Sequence, residues 1–351
     1  MNDYWNKLHP DIKQYFEILE KDMPEFLLKY METPELKRLK HIGYFCGMDY
    51  CSKAMYQFKL YFSRCDHSLA VALITWHFTK SRAATVAALL HDISSPVFSH
   101  VVDFMRGDKM TQEYTEKYTE EIIRNSVELN NCLKQDNLTV EQVSDLKQYP
   151  LGDNDRPKLC ADRLEGTFSN LMYWDKSLSL DEVKTIYQTI CVTKNEEKEP
   201  ELGFQTAQAA NKFFDITLRA GYLSHEKEDA LCMQLLADTL KEAEKKHFLT
   251  EKDLFEKTEP EIVRQINRIP DPKIRRMWTT FQTIQEVYTM NQQIPDTYYA
   301  IPTVKKRIVD PLYLESGKPV RVLEQNSQAK IERDKYLNYQ VSDYVYIKKN
   351  I

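Results

Sequence analysis

Apolar residues recur at helical spacing through most of the first 280 positions, and this pattern predicts a mainly α-helical chain. After Pro295 the pattern changes to short β-branched and aromatic segments, which predict a small β-rich region of three to five strands. The predicted helices include 4–30, 68–78, 82–92, 111–129 and several between 204 and 282. The chain is therefore divided into an N-terminal part over 1–200, a helical extension over 201–296 and a β-rich region over 297–351.

Residues that can cap helices indicate where several of these helices begin. Ser, Thr and Asp side chains accept hydrogen bonds from the free N–H groups of a first turn. The expected caps are Thr33, Ser81, Thr139, Ser179, Ser224, Thr250 and Asp271. Thr139 and Ser179 are each followed three residues later by Gln or Glu, so each predicts a capping box that opens a helix.

Polar residues interrupt two apolar helical stretches. Residues 87–90 are small and apolar and end in His91 and Asp92, while Asp162 lies in another apolar stretch. A buried carboxylate is unfavourable unless it is paired or binds a metal. An isolated His-Asp pair is also compatible with a buried histidine capped by its neighbour. With His67, however, the chain offers two imidazoles and two carboxylates, a mixed donor set that suits Mn, Fe, Zn, Ni or Mg.

The order and spacing of these residues resemble those of the HD-domain metal-dependent phosphohydrolases. The similar segments are Arg64-Cys65-Asp66-His67-Ser68-Leu69, Leu89 through His100, and Ala161-Asp162-Arg163. The resemblance implies an HD-domain helical bundle with additional helices around one divalent metal ion. The implied metal ligands are His67, His91, Asp92 and Asp162.

Within this superfamily the chain is most similar to the deoxynucleoside triphosphate (dNTP) triphosphohydrolase branch. The similar features are the helix after Thr33-Pro34, the Phe98-Ser99-His100 ending with Asp103, and the basic Asp-Pro segment at 306–312. This branch attacks the α-phosphorus and leaves a nucleoside and triphosphate. The implied substrate-binding residues are Arg64, Arg163, Tyr222 and His225, and the candidate catalytic residues are His100, Asp103 and Glu116.

Simpler roles for three of these residues stay open. His100 could be a structural partner of Asp103, Tyr222 could be a packing residue, and His225 could be a surface residue. Two histidines of the family are also replaced, since Ser95 stands in the place of one and Glu116 in the place of the other. The alternatives are therefore a nucleotide monophosphatase, a cyclic-nucleotide phosphodiesterase or a degenerate nucleotide-binding sensor.

The composition narrows the range of partners and locations. A net charge of −5 gives no general attraction to nucleic acid or anionic membranes, so an anionic substrate requires a local basic pocket. Seven cysteines without close pairs predict reduced thiols and a cytoplasmic location. We expect no membrane span and no signal peptide. The resemblance further implies a nucleotide substrate, a nucleotide effector and a homo-oligomer.

Overall fold

The computed structural model describes residues 3–110, 117–303 and 305–348. The helices of this part of the chain are α1 (Asp3–Lys7), α2 (Pro10–Leu19), α3 (Leu27–Tyr30), α4 (Pro34–Leu39), α5 (Arg64–Thr79), α6 (Arg82–Leu90), α7 (Val101–Arg106), α8 (Thr119–Asn125), α9 (Val127–Gln135), α10 (Ala161–Ser169), α11 (Leu180–Tyr187), α12 (Ala207–Leu223), α13 (Lys227–Lys245), α14 (Glu251–Glu256), α15 (Glu259–Arg268), α16 (Pro272–Thr283), α17 (Val322–Gln325) and α18 (Ser327–Asn338). The strands are β1 (Ile190–Lys194), β2 (Pro200–Phe204), β3 (Tyr288–Met290), β4 (Tyr298–Ala300), β5 (Leu312–Glu315), β6 (Lys318–Arg321) and β7 (Tyr344–Ile347).

Helix α5 is the centre of the helical part. Every residue from Arg64 to Thr75 is buried, as expected for a helix that is covered on all sides. Helices α2, α4, α6 and α10 all pack against it. The predicted fold class, mainly helical with a small β-rich C-terminal part, is confirmed.

Most of the predicted helix starts are also present. The hydroxyl of Ser81 accepts a hydrogen bond from the N–H of Ala84, and Ser179 and Thr250 form capping boxes. Helix α5 begins at Arg64, four residues before its predicted start, because Ser63 and Asp66 form a capping box there. This earlier start brings Arg64 and His67 into the first turn of a rigid helix.

Two predicted helix starts are wrong. No helix begins at Thr139: the buried residues Val140, Val143 and Leu146 are spaced three apart, which suits turns and the short 3₁₀ helix at Leu146–Gln148. Ser224 ends α12, and the N-cap of α13 is Glu226.

The helix predicted at 111–129 is interrupted. Residues 111–116 lie outside the described residues, and the remainder forms α8 and α9. Ser126 has an extended backbone between the two helices, and its hydroxyl accepts a hydrogen bond from the N–H of Leu129. The break follows from this side chain, which caps the second helix.

Two small sheets lie at the C-terminal side of the chain, and their composition differs from the prediction. The first has the order β1-β2-β5-β6, with β2 parallel to β5 and the other pairs antiparallel. The second has β7 between β3 and β4. Residues 307–309 are not a strand, and α18 is a helix within the predicted β-rich region. The first sheet also takes strands from both sides of the predicted boundaries at 200 and 296.

No helix in the three described ranges combines enough length with enough apolar character to cross a membrane.

Candidate metal centre

Three side chains on separate helical segments meet at one point. His67 lies in the first turn of α5, His91 directly follows α6, and Asp162 lies in the first turn of α10. One ligand atom from each lies within 4.8 Å of the other two. Oδ1 of Asp162 is 3.1 Å from Nε2 of His67 and 3.7 Å from Nε2 of His91.

Asp92 completes this group. Its Oδ2 lies 3.8 Å from Nε2 of His67 and 3.9 Å from Nε2 of His91, and it accepts a hydrogen bond of 2.9 Å from Arg64. The four side chains predicted as ligands therefore lie together, across about a hundred positions of sequence. Their binding of a metal ion stays a prediction.

Hydrogen bonds fix the orientation of both imidazoles. Nδ1 of His67 contacts the carboxylate of Glu165, and Nδ1 of His91 lies 2.7 Å from the carbonyl oxygen of Ala88. Glu165 is fully buried and also accepts hydrogen bonds from Tyr15 and Ser169. With each Nδ1 engaged in this way, both Nε2 atoms face the centre, which is the arrangement typical of metal-binding histidines.

The electrostatics of the centre favour a cation. Burial lowers the pKa of His67, but the carboxylates of Glu165 and Asp162 outweigh burial and raise this pKa to about 10. Burial raises the pKa of Asp92, but Arg64 and His91 outweigh it and hold the pKa well below its ordinary value. Two imidazole nitrogens and two ionised carboxylates fit a divalent transition metal or magnesium.

The centre opens into a cavity of about 670 Å³. Besides the four candidate ligands, two chemically different groups of residues line it. The basic group comprises Arg64, Lys147, Arg156, Arg163, Lys305 and Arg307. The aromatic and apolar group comprises Tyr44, Phe45, Met48, Tyr56, Phe58, Phe104, Trp174 and Met233.

Arg64 and Arg163, two of the predicted substrate-binding residues, line this cavity. Arg64 donates hydrogen bonds to Asp92 and, over 3.0 Å, to the hydroxyl of Ser99. Arg163 donates to the carbonyl oxygen of Lys158 over 2.8 Å and to Asp153 over 3.2 Å. Both guanidinium groups are thus held in place by the protein.

His100 lines the cavity as well. Its Nδ1 lies 2.9 Å from Oδ2 of Asp103, which is fully buried. Burial and the positive charges of Arg64 and Arg307 lower the pKa of His100, against the opposing effect of Asp103. The third candidate catalytic residue, Glu116, lies outside the described residues.

Tyr222 and His225 are not among the described residues that line the cavity. The ring of Tyr222 packs against the rings of Tyr336 and Tyr339 at 5.0 Å each. His225 is buried, and its ring lies 5.6 Å from that of Tyr336. Instead, the neighbouring residues Gly221 and Ser224 face the cavity.

Three residues of the site were missed from the sequence. Glu165 follows Asp162 by three positions, so both lie on one face of α10, and this spacing could have indicated its role. Arg156 lies in a loop, and Asp229 lies in the first turn of α13. Neither of these two residues carries a local pattern that distinguishes it from a surface charge.

Comparisons with known proteins agree with this geometry. The sequence profile of the HD domain matches residues 64–160, which include His67, His91 and Asp92 and end just before Asp162. YdhJ of Bacillus subtilis, which is uncharacterised, is 26% identical over 251 residues, 71% of this chain and 73% of that protein. The metal-dependent phosphohydrolase cns2 of Cordyceps militaris is 26% identical over 124 residues, 35% of each chain.

Two solved structures are similar over nearly the whole chain. A phosphohydrolase from Bacteroides thetaiotaomicron has a TM-score of 0.61 and 16% identity, with 93% of this chain and 96% of that chain covered. A hypothetical protein from Aquifex aeolicus has a TM-score of 0.60 and 15% identity, with 92% of each chain covered. At this identity the two similarities establish the fold.

The fold and the site define a helical HD domain around a candidate metal centre. The profile match shows that residues 64–160 belong to an HD domain, and the chain is similar to a metal-dependent phosphohydrolase over part of its length.

Proposed function

We propose that this protein is a dNTP triphosphohydrolase, which releases a deoxynucleoside and inorganic triphosphate. The observation that carries this proposal is that one cavity joins the candidate metal centre to a basic group and to an aromatic group. A nucleotide has a corresponding division into an anionic phosphate chain and a flat apolar base. A substrate with phosphate alone would have no use for the aromatic group.

A cluster of arginines favours a substrate with several phosphates. Arg156 lies close to Arg163 and Arg307 and to the candidate ligand Asp162. Shielding from solvent and repulsion by the other two guanidinium groups lower the pKa of Arg156 to about 10. Like charges this close together are stabilised by an anion, and a triphosphate next to the metal centre meets this requirement better than a monophosphate.

The aromatic group supplies surfaces for a base. The rings of Phe45 and Phe58 are stacked at 4.3 Å, and that of Tyr56 lies 5.5 Å from Phe58. Trp174 contacts the rings of Phe45 and Phe58 edge-on. Flat, weakly polar walls of this kind favour stacking of a heterocycle.

The residues of the chain have separable roles in the proposed reaction. A divalent ion held by the four ligands would supply Lewis-acid polarisation of the phosphoryl group. Arg64 holds Asp92 in position through its hydrogen bond. When His100 is neutral and its Nδ1–H donates to Asp103, Nε2 can accept a proton in one step and return it to the leaving oxygen in another.

Ser95 favours the degenerate sensor as a second candidate function. It stands where the family carries a histidine, it is buried, and its carbonyl oxygen accepts a hydrogen bond of 3.0 Å from Arg38. Because this hydrogen bond uses a backbone atom, it does not replace the proton-transfer group that an imidazole would supply here. A sensor would bind metal and nucleotide without hydrolysis.

The test is a hydrolysis panel of the four dNTPs and four NTPs with Mn²⁺, Mg²⁺, Fe²⁺ and Zn²⁺, with all products resolved. We expect deoxynucleoside and inorganic triphosphate in equal amounts. Asp162→Ala should lose bound metal and at least about 10²-fold of the activity, because a carboxylate that would hold the ion is removed from the centre. His41→Ala, which alters an exposed histidine, is the matched control and should keep both.

Other products would change the assignment. Orthophosphate without triphosphate would exclude the triphosphohydrolase, and a second panel of nucleoside monophosphates and cyclic nucleotides would then test the monophosphatase and the phosphodiesterase. Binding of metal and nucleotide without turnover under any condition would support the degenerate nucleotide-binding sensor. The homo-oligomer and the nucleotide effector stay predictions, and light scattering with and without added dNTP tests both.

A further inference from the structure

We propose that Asp229 selects the nucleobase, favouring a base that presents a ring N–H beside an exocyclic amino group, as guanine does. This inference rests on the proposed function, because it assigns the base that the same cavity takes.

Asp229 lies where two cavities adjoin. Its side chain is 8% exposed and contributes both to the main cavity and to a smaller one of about 180 Å³. Tyr56 and Trp174, which belong to the aromatic group, line both cavities as well. The carboxylate is therefore set among the surfaces expected to hold the base, where few water molecules compete for it.

The hydrogen bond from Tyr56 leaves Oδ2 and one lone pair of Oδ1 of Asp229 for a ligand. Tyr56 is buried, and its hydroxyl donates a hydrogen bond of 3.1 Å to Oδ1, which fixes the orientation of the carboxylate. No residue in the described part of the chain donates a hydrogen bond to Oδ2. Asp229 lines both cavities, so a molecule bound in the main cavity can reach this oxygen. A ligand with N–H groups supplies a donor for it.

Asp229 is also in reach of the reacting end of the cavity. Asp229 lines the same cavity as the candidate ligands, and Cys46 and Arg64 line it as well. One nucleotide can thus extend from the candidate metal centre to Asp229. The burial of Asp229 and its neighbour Glu226 raise its pKa to about 7, and a bound pair of N–H donors would stabilise the ionised form.

The chemistry of a carboxylate distinguishes between the bases. An ionised carboxylate only accepts hydrogen bonds, and two parallel N–H donors suit its two oxygens. The Watson–Crick edge of guanine offers such a pair. Adenine places a ring acceptor beside its amino group, and thymine places carbonyl oxygens on both sides of its one N–H. Each of these edges turns an acceptor toward the carboxylate.

The experiment compares kcat/KM for dGTP, dITP, dATP and dTTP in the full chain with Mn²⁺. We expect dGTP to exceed dATP and dTTP by at least about tenfold, with dITP between them because it lacks the amino group. In Asp229→Asn and Asp229→Leu the preference should fall to within about threefold, mainly through KM for dGTP. Glu244→Gln is the matched control, since it removes a charge from the same helix at a residue that lines neither cavity.

A second measurement separates this inference from the proposed function. Calorimetry with deoxyguanosine and deoxyadenosine measures recognition of the base without hydrolysis. Equal turnover of all four dNTPs, unchanged in both Asp229 variants, would overturn the selection by Asp229 and leave the triphosphohydrolase. Binding of deoxyguanosine that requires Asp229, in a protein that hydrolyses no dNTP, would support the selection and overturn the triphosphohydrolase. A melting temperature for each variant verifies that it is folded.

Discussion

At the scale of single residues, the orientation of His67 depends on Glu165. The carboxylate of Glu165 is fully buried and contacts Nδ1 of His67, so Nε2 points to the candidate metal centre. Tyr15 donates a hydrogen bond of 3.4 Å to the other oxygen, and Ser169 contacts it as well. An acid in this position fixes the ring and increases the basicity of the ligand nitrogen.

We therefore predict that Glu165→Gln weakens metal binding by about 10–100-fold, because the amide has the same shape without the negative charge. Calorimetric titration with Mn²⁺ or Zn²⁺ measures the change. Tyr15→Phe is the control, since it removes only the longer contact and should alter Kd much less. Equal affinities in Glu165→Gln and the unaltered protein would show that the contact has no influence on the metal.

The protonation state of His100 determines how kcat/KM is expected to depend on pH. Its pKa is lowered by burial and by Arg64 and Arg307, so the ring is neutral from a pH below 6.5 upward. If neutral His100 accepts a proton, kcat/KM rises with pH and reaches half its maximum below pH 6.5. His100→Gln should lower kcat by about 10²–10⁴ and remove this part of the profile, with metal content unchanged. If His100→Gln keeps the pH profile and the rate of the unaltered protein, His100 has only a structural role.

The sequence predicted the candidate ligands but only part of their surroundings. His67, His91 and Asp92 lie in short segments whose order and spacing are specific, and Asp162 is conspicuous as an acid in an apolar stretch. The walls of the cavity come from separate segments, such as those of Phe45, Arg156 and Asp229. Their convergence depends on tertiary packing, which no local pattern of hydrophobic and polar residues encodes.

At the scale of secondary structure elements, the first sheet fixes the position of the segment that precedes α10 in the sequence. Arg321 at the end of β6 donates hydrogen bonds to Glu201 on β2, over 2.6 and 2.8 Å, and to Glu196. Glu201 is fully buried and accepts a further bond of 3.0 Å from the N–H of Leu159. The sheet is thus connected to the segment that positions Asp162.

We predict that Arg321→Met lowers the free energy of unfolding by about 3–5 kcal/mol, because it leaves the buried Glu201 without its positive partner. Urea denaturation measures this loss. Arg333→Met is the control: Arg333 pairs with the exposed Asp334, and such pairs contribute about 0–1 kcal/mol. If both variants lose the same small amount, the buried pair contributes no more than a surface pair.

The helices were predicted better than the sheets for a physical reason. A helix that begins at Ser81 or Ser179 is encoded within a few residues, because its cap and its apolar face are local. Strand β2 instead needs β5, more than a hundred positions later, as its parallel partner. The paired strands β1 and β2 lie between helical segments, and their short apolar runs gave no distinct signal.

At the scale of the whole molecule, the buried Glu259 and the half-buried Asp49 lie where α15 meets the residues before α5. Glu259 at the start of α15 is fully buried, and the N–H of Phe98 donates a hydrogen bond of 3.3 Å to its Oε1. A Cβ atom on Gly43 would lie 2.9 Å from Oδ2 of Asp49 and 3.2 Å from Oε2 of Glu259. The absence of a side chain at Gly43 thus allows both carboxylates to occupy this space.

The raised pKa values of these two acids determine how the stability of the fold depends on pH. Burial and the charge of Asp49 raise the pKa of Glu259 to about 8, and burial raises that of Asp49 to about 6. The folded protein therefore binds protons that the unfolded chain has already lost, so stability from Glu259 is complete below its ordinary pKa of about 4.5 and is lost as pH rises to about 8.

We accordingly predict that Glu259→Gln, which cannot ionise, is more stable than the unaltered protein at pH 9 by on the order of 1–3 kcal/mol, with a smaller difference at pH 5. Urea denaturation at pH 5, 7 and 9 measures both values. Glu315→Gln alters an exposed acid and should shift stability equally little at every pH. A loss of stability in Glu259→Gln that is greatest at pH 9 would mean that the ionised carboxylate stabilises this junction, and the direction argued from its burial would be reversed.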